Sequence, residues 1–124
     1  MVTGATNLGR SGLYDWIVQR ATAVLMAVYT VVMLGFFLYQ SSELTYQVWV
    51  SFIGSLPMRI FTVLILFSAI AHAWVGLWTV ATDYLTVRQL GSSGTVLRLL
   101  FLAACALLGA VYLIWGVMIL WGAV

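Results

Sequence analysis

The sequence predicts an all-α integral membrane protein, a single three-helix transmembrane bundle with its N-terminus cytoplasmic and its C-terminus outside. Three observations predict it. Of 124 residues, 65% are hydrophobic and 6% charged, and the mean hydropathy is +1.13, far more apolar than a soluble domain. Three runs, residues 21–39, 60–82 and 99–124, are long enough to cross a hydrocarbon core of about 30 Å, which needs roughly 20 apolar residues. The arginines divide unevenly: Arg10 and Arg20 precede the first run, Arg88 and Arg98 lie between the second and third, and Arg59 alone lies on the other side. The positive-inside rule turns that split into the orientation.

Each element has its own signals. Ser11 can cap a helix starting at Gly12 and Leu13, with Asp15 in the first turn, where a carboxylate suits the helix dipole. The first twenty residues lack the apolar core and small-residue cleavage site of a signal peptide, so the first span is expected to serve as its own insertion signal. Between the first two spans, Leu44, Val48 and Phe52 recur at helical spacing, which predicts a short helix lying on the outer membrane surface. Pro57 then restarts the chain for the second span. The stretch VRQLGSSG reads as an exposed connection. In the third span, Cys105 and Gly109, with Ala106 and Ala110, place small residues at i, i+4 and permit close helix approach.

Composition also excludes some functions. A net charge of +2 is too sparse for a nucleic-acid surface. One cysteine, Cys105, cannot form an internal disulfide and reads as a small apolar packing residue.

The chemistry is concentrated in the second span. Ser68, Gly76, Thr79 and Asp83 all fall within about 40° of His72 on a helical wheel, so one face of this helix is polar or small along its length. Gly76, one turn from His72, leaves room for a broad flat group such as a porphyrin. Three readings of His72 are open: a hydrogen bond between helices, a proton relay, or a haem ligand. Imidazole suits the last because one ring nitrogen offers iron a lone pair while the other donates a bond that fixes the tautomer. As the only histidine, His72 can supply only one of two imidazoles. Asp83 and Tyr84 lie about 16 to 18 Å along the axis from His72, near the cytoplasmic interface. Tyr84 is open to two readings, a membrane-belt anchor or a phenol donating a hydrogen bond to a quinone carbonyl, with Asp83 passing protons from water.

The segments LGRSG, VQRATAV, GFF, SELTYQVW, HAWVGLW and TDY together resemble the small cytochrome b membrane anchor of bacterial succinate dehydrogenase, the succinate:quinone oxidoreductase of complex II. The resemblance runs nearly end to end. It implies that His72 is one axial ligand of a haem b shared with the larger cytochrome b anchor subunit, and that Tyr84, followed with less specificity by Asp83, serves ubiquinone. It also implies that Arg20 lies near the haem propionates; from its position alone, Arg20 equally reads as a headgroup-binding charge. The stretch TVRQLGSSGTVLR is longer and richer in glycine and serine than the family's connection.

The implied partners are that larger anchor, an iron–sulfur subunit, a flavoprotein subunit and membrane lipid, in the bacterial cytoplasmic (inner) membrane. The implied work is electron transport from succinate to quinone, joining the tricarboxylic acid cycle to the respiratory chain. The chain is non-catalytic alone. Two alternatives stand beside this: the anchor of a fumarate reductase, and a non-enzymatic membrane adaptor in which His72 and Asp83 form a proton path.

Overall fold

A computed structural model describes residues 12–122, which form α1 (Gly12–Tyr39), α2 (Tyr46–Ile53), α3 (Leu56–Tyr84), α4 (Val87–Leu90) and α5 (Gly94–Gly122). The chain is all-α among these residues. Three segments, Gly12–Tyr39, Leu56–Tyr84 and Val87–Gly122, are long and apolar enough to cross a membrane. Arg10, the cap at Ser11 and the last two residues of the expected third span lie outside the described residues.

The helices are longer than the apolar runs. At 28 residues α1 extends about 42 Å, more than a hydrocarbon core of about 30 Å requires. Its extra turns carry Tyr14, Trp16 and Arg20, residue types that suit the headgroup region. Asp15, in the first turn, is buried, whereas Leu13 and Trp16 beside it are exposed.

The long helix α3 is central. It packs along both α1 and α5, while α1 and α5 barely meet each other, so the three spans form an open arrangement about α3. Small residues permit the α3–α5 contact. A Cβ on Gly109 would stand 3.5 Å from Ile70 Cγ2, and one on Gly116 would fall 2.6 Å from Leu66 Cδ1. Beside this contact runs an apolar groove lined in part by Ile70, Ala73, Trp74, Cys105 and Tyr112.

The connection between α1 and α3 does form a short helix. Thr45 caps α2 by accepting from the Val48 N–H at 3.3 Å, satisfying one of the donors that a helix start leaves unpaired. Aromatic stacking fastens α2 to the end of α1: Phe36 lies on Phe52 at 3.9 Å between ring centroids, and Phe37 on Trp49 at 5.7 Å. At the same end Ile53, Met58 and Leu120 form a small buried cluster, and the Arg59 guanidinium sits 5.6 Å over the Trp121 ring. Pro57 occupies the first turn of α3, where its missing N–H costs nothing.

The expected loop after α3 is instead a folded corner. Thr86 caps α4 by accepting from the Gln89 N–H at 3.3 Å, and a 3-10 turn, Gly91–Ser93, leads directly into α5. Gly91 takes a φ of +67°, in the left-handed region. Threonine capping was the signal hidden among the loop-like glycines and serines.

Gly94 makes this corner possible: a Cβ there would stand 2.7 Å from both the Thr86 carbonyl carbon and oxygen. Backbone cannot yield as a flexible side chain does. Gly94→Ala is therefore expected to destabilise the corner by about 1 to 3 kcal/mol. The measurement is the thermal midpoint of the assembled protein; an unchanged midpoint would contradict the close approach.

Candidate functional site

The polar residues of the spans meet between α1 and α3. His72, near the middle of α3, is half-buried, and its Nδ1 lies 3.1 Å from the Oγ1 of Thr22 on α1. Thr22 is buried, and its hydroxyl also lies 2.6 Å from the Val18 carbonyl oxygen and 3.2 Å from that of Gln19. No hydrogen bond engages His72 Nε2 among the described residues.

Gly76 faces α1 as well. A Cβ built on it would lie 3.7 Å from Gln19 Nε2, so the amide of Gln19 occupies the space one turn from His72. On this face the glycine that the sequence reads as room for a flat group thus has the end of a flexible glutamine side chain opposite it. The wheel identifies the face of Gly76 but not the neighbour opposite it. Gln19 Oε1 is buried without a hydrogen-bond partner among the described residues, an unusual condition for an amide oxygen.

The rest of the stripe divides. Ser68 is buried, and Thr79 turns its hydroxyl back onto its own helix, donating to the Val75 carbonyl at 3.0 Å. A second polar link between the same helices joins Tyr29 Oη to Thr62 Oγ1 at 3.0 Å, with Tyr29 edge-on to Phe61 at 5.1 Å between centroids. The α1-facing side of α3 is thus a packing surface with hydrogen bonds built into it.

Asp83 and Tyr84 form the last turn of α3, and both are exposed, Tyr84 at 65%. Neither side chain has a hydrogen bond or ion pair among the described residues. Successive residues diverge by about 100° on a helix, so the carboxylate and the phenol leave the axis in different directions. Helix α3 ends there because Leu85, whose N–H makes the last helical bond onto the Ala81 carbonyl at 3.1 Å, leaves the helical conformation (φ −95°, ψ 61°), and Thr86 caps the next helix.

Arg20 is exposed, with its guanidinium 5.5 Å over the Trp16 ring one turn earlier. It precedes Thr22 by two residues, which puts the two side chains about 200° apart on α1. The fold therefore gathers His72, Thr22, Gly76 and Gln19, and it leaves Arg20, Asp83 and Tyr84 apart from that cluster. Thr22 and Gln19 were missed from sequence. Their signal was two polar residues at i, i+3, which share a helix face, within the segment VQRATAV.

Residues 5–111 match the family described as Succinate dehydrogenase/Fumarate reductase transmembrane subunit. The chain is also 36% identical over 112 residues, 90% of each chain, to a succinate dehydrogenase hydrophobic membrane anchor subunit from Coxiella burnetii (strain RSA 493 / Nine Mile phase I).

Proposed function

The chain belongs to the succinate dehydrogenase/fumarate reductase transmembrane subunit family and is a membrane anchor subunit of succinate dehydrogenase, and on that premise we propose that α3 serves two redox sites, a haem b at His72 and ubiquinone at Tyr84. The observation that carries the proposal is the spacing on one helix of a half-buried imidazole whose Nε2 has no partner among the described residues and an exposed phenol next in sequence to an exposed carboxylate.

The residues fit a haem. Haem iron takes an imidazole nitrogen, and His72 would hold it through Nε2, which has no partner among the described residues, while Thr22 engages Nδ1. A second imidazole on the iron would have to come from another subunit, and the family resemblance points to the larger anchor, since this chain has only one histidine. Bound there, a haem supplies an iron centre that takes up and releases one electron. Arg20, two residues from Thr22 along α1 but on a different face of it, would give the propionates a positive charge only by leaving the Trp16 ring and reaching around the helix.

At the end of α3, Tyr84 donates its phenolic hydrogen to a ubiquinone carbonyl oxygen. Reduction to the quinol needs two electrons and two protons. The electrons arrive from the flavoprotein through the iron–sulfur subunit, and Asp83, exposed beside the site, passes protons from water. The oriented donor becomes more valuable as negative charge builds on the quinone oxygen. The chain itself carries out no succinate chemistry.

The arginine distribution supports a cytoplasmic N-terminus, which puts the Tyr84 end of α3 at the cytoplasmic face of the bacterial inner membrane and α2 on the outer one. The iron–sulfur partner then docks where Tyr84 is exposed. A fumarate reductase anchor would place the same residues in the same roles with electrons flowing the other way.

Three measurements test these assignments. In cysteine-accessibility labelling of intact cells, a cysteine at Ser92 is expected to be shielded from impermeant reagent; labelling from outside would reverse the orientation. His72→Ala is expected to abolish the bis-histidine electron paramagnetic resonance signal of the oxidised haem, and an unchanged spectrum would remove His72 from the iron. Tyr84→Phe keeps the ring but deletes the donor, and losing that bond is expected to cost about 1.5 to 3 kcal/mol, roughly tenfold or more in ubiquinone reduction. Succinate oxidation by a soluble dye should be spared. Wild-type ubiquinone reduction with an unchanged KM would leave Tyr84 as a membrane-belt anchor.

A further inference from the structure

We propose that Thr22 is the positioning residue of His72: its hydroxyl oxygen accepts the Nδ1 hydrogen, fixing the tautomer that leaves Nε2 as the lone-pair nitrogen. This deepens the ligand assignment above and rests on it. A threonine hydroxyl has one hydrogen, and the 2.6 Å separation of Thr22 Oγ1 from the Val18 carbonyl commits it to α1's own backbone. The Gln19 carbonyl, at 3.2 Å, can share that hydrogen but supplies none, since a carbonyl only accepts.

Only lone pairs therefore remain on Thr22 Oγ1 to face His72 Nδ1 at 3.1 Å. The hydrogen in that contact must belong to the imidazole. A neutral imidazole has a single N–H, so Nε2 is bare. The opposite tautomer would place two lone pairs against each other, or break the 2.6 Å bond in a setting where Thr22 is only 8% exposed and water cannot readily replace it. The second polar link uses the same logic. Thr62 donates to the Met58 carbonyl at 2.7 Å and so must accept from Tyr29 Oη. Two threonines bonded back to their own helices thus act as pure acceptors toward the neighbouring helix.

An acceptor on the far nitrogen of a metal-bound imidazole also makes the ring a stronger donor to the metal. Removing it is expected to favour ferrous over ferric iron. The test uses the purified four-subunit complex. Thr22→Val keeps the branched shape and deletes the acceptor, and Thr22→Ser keeps the acceptor. With valine, the haem midpoint potential should move positive and the ferric electron paramagnetic resonance g values should change; with serine, both should return to wild-type.

Wild-type potential and g values in Thr22→Val would overturn the proposal. If His72→Ala alters the spectrum while Thr22→Val does not, the ligand assignment stands and only the role of Thr22 falls. If His72→Ala leaves the spectrum unchanged, the ligand assignment itself falls, and this proposal with it. Should the valine variant assemble without haem, the serine variant decides: a wild-type potential supports the proposal, and a shifted potential or lost haem overturns it.

Discussion

A polar side chain inside a lipid-embedded helix has no water to turn to, and this constraint organises the contact between α1 and α3. Thr22 and Thr62 both bond a carbonyl four residues back on their own helices, at 2.6 and 2.7 Å. Each oxygen is then left with lone pairs that a partner on the other helix can satisfy. His72 meets one and Tyr29 the other, at 3.1 and 3.0 Å. These two links fix the axial register of α1 against α3 more sharply than apolar packing would, because lipid tails compete with apolar contacts but not with hydrogen bonds.

The α3–α5 contact follows a different rule. It relies on glycines that let helices approach, with Gly109 against Ile70 and Gly116 against Leu66. Such contacts are governed by shape. With α1 and α5 barely meeting, much apolar surface remains open, and among the described residues no large side chain is fully buried. That surface suits an anchor subunit, whose outer faces meet lipid and other subunits of the succinate dehydrogenase complex.

One helix thereby carries two kinds of position. At its middle, α3 is held by α1, and His72 has one nitrogen engaged and one without a hydrogen-bond partner among the described residues. At its end, Asp83 and Tyr84 project beyond the packed region, and the capped corner through Thr86, Gly91 and Gly94 stops the helix immediately after them. A group that orients a metal needs rigid support, whereas a group that meets a diffusing quinone needs access. The packing supplies each where the proposed function calls for it.

The sequence by itself determined the helical class and the three apolar runs, because length and hydropathy are local properties. It also exposed the short helix after α1, through the spacing of Leu44, Val48 and Phe52, of which Leu44 falls ahead of the Thr45 cap, and the polar stripe on α3, through helical periodicity. The folded corner was hidden, since caps at Thr86 and a close approach at Gly94 look like an ordinary polar loop in one dimension. Only the tertiary structure decided what the stripe faces. A helical wheel ranks residues around one axis but contains neither the rotation nor the axial offset of the next helix. Those two quantities bring Thr22 rather than Arg20 to His72, and Gln19 rather than open space to Gly76. They are set jointly by hydrogen bonds and packing across two helices, so no reading of either helix alone contains them.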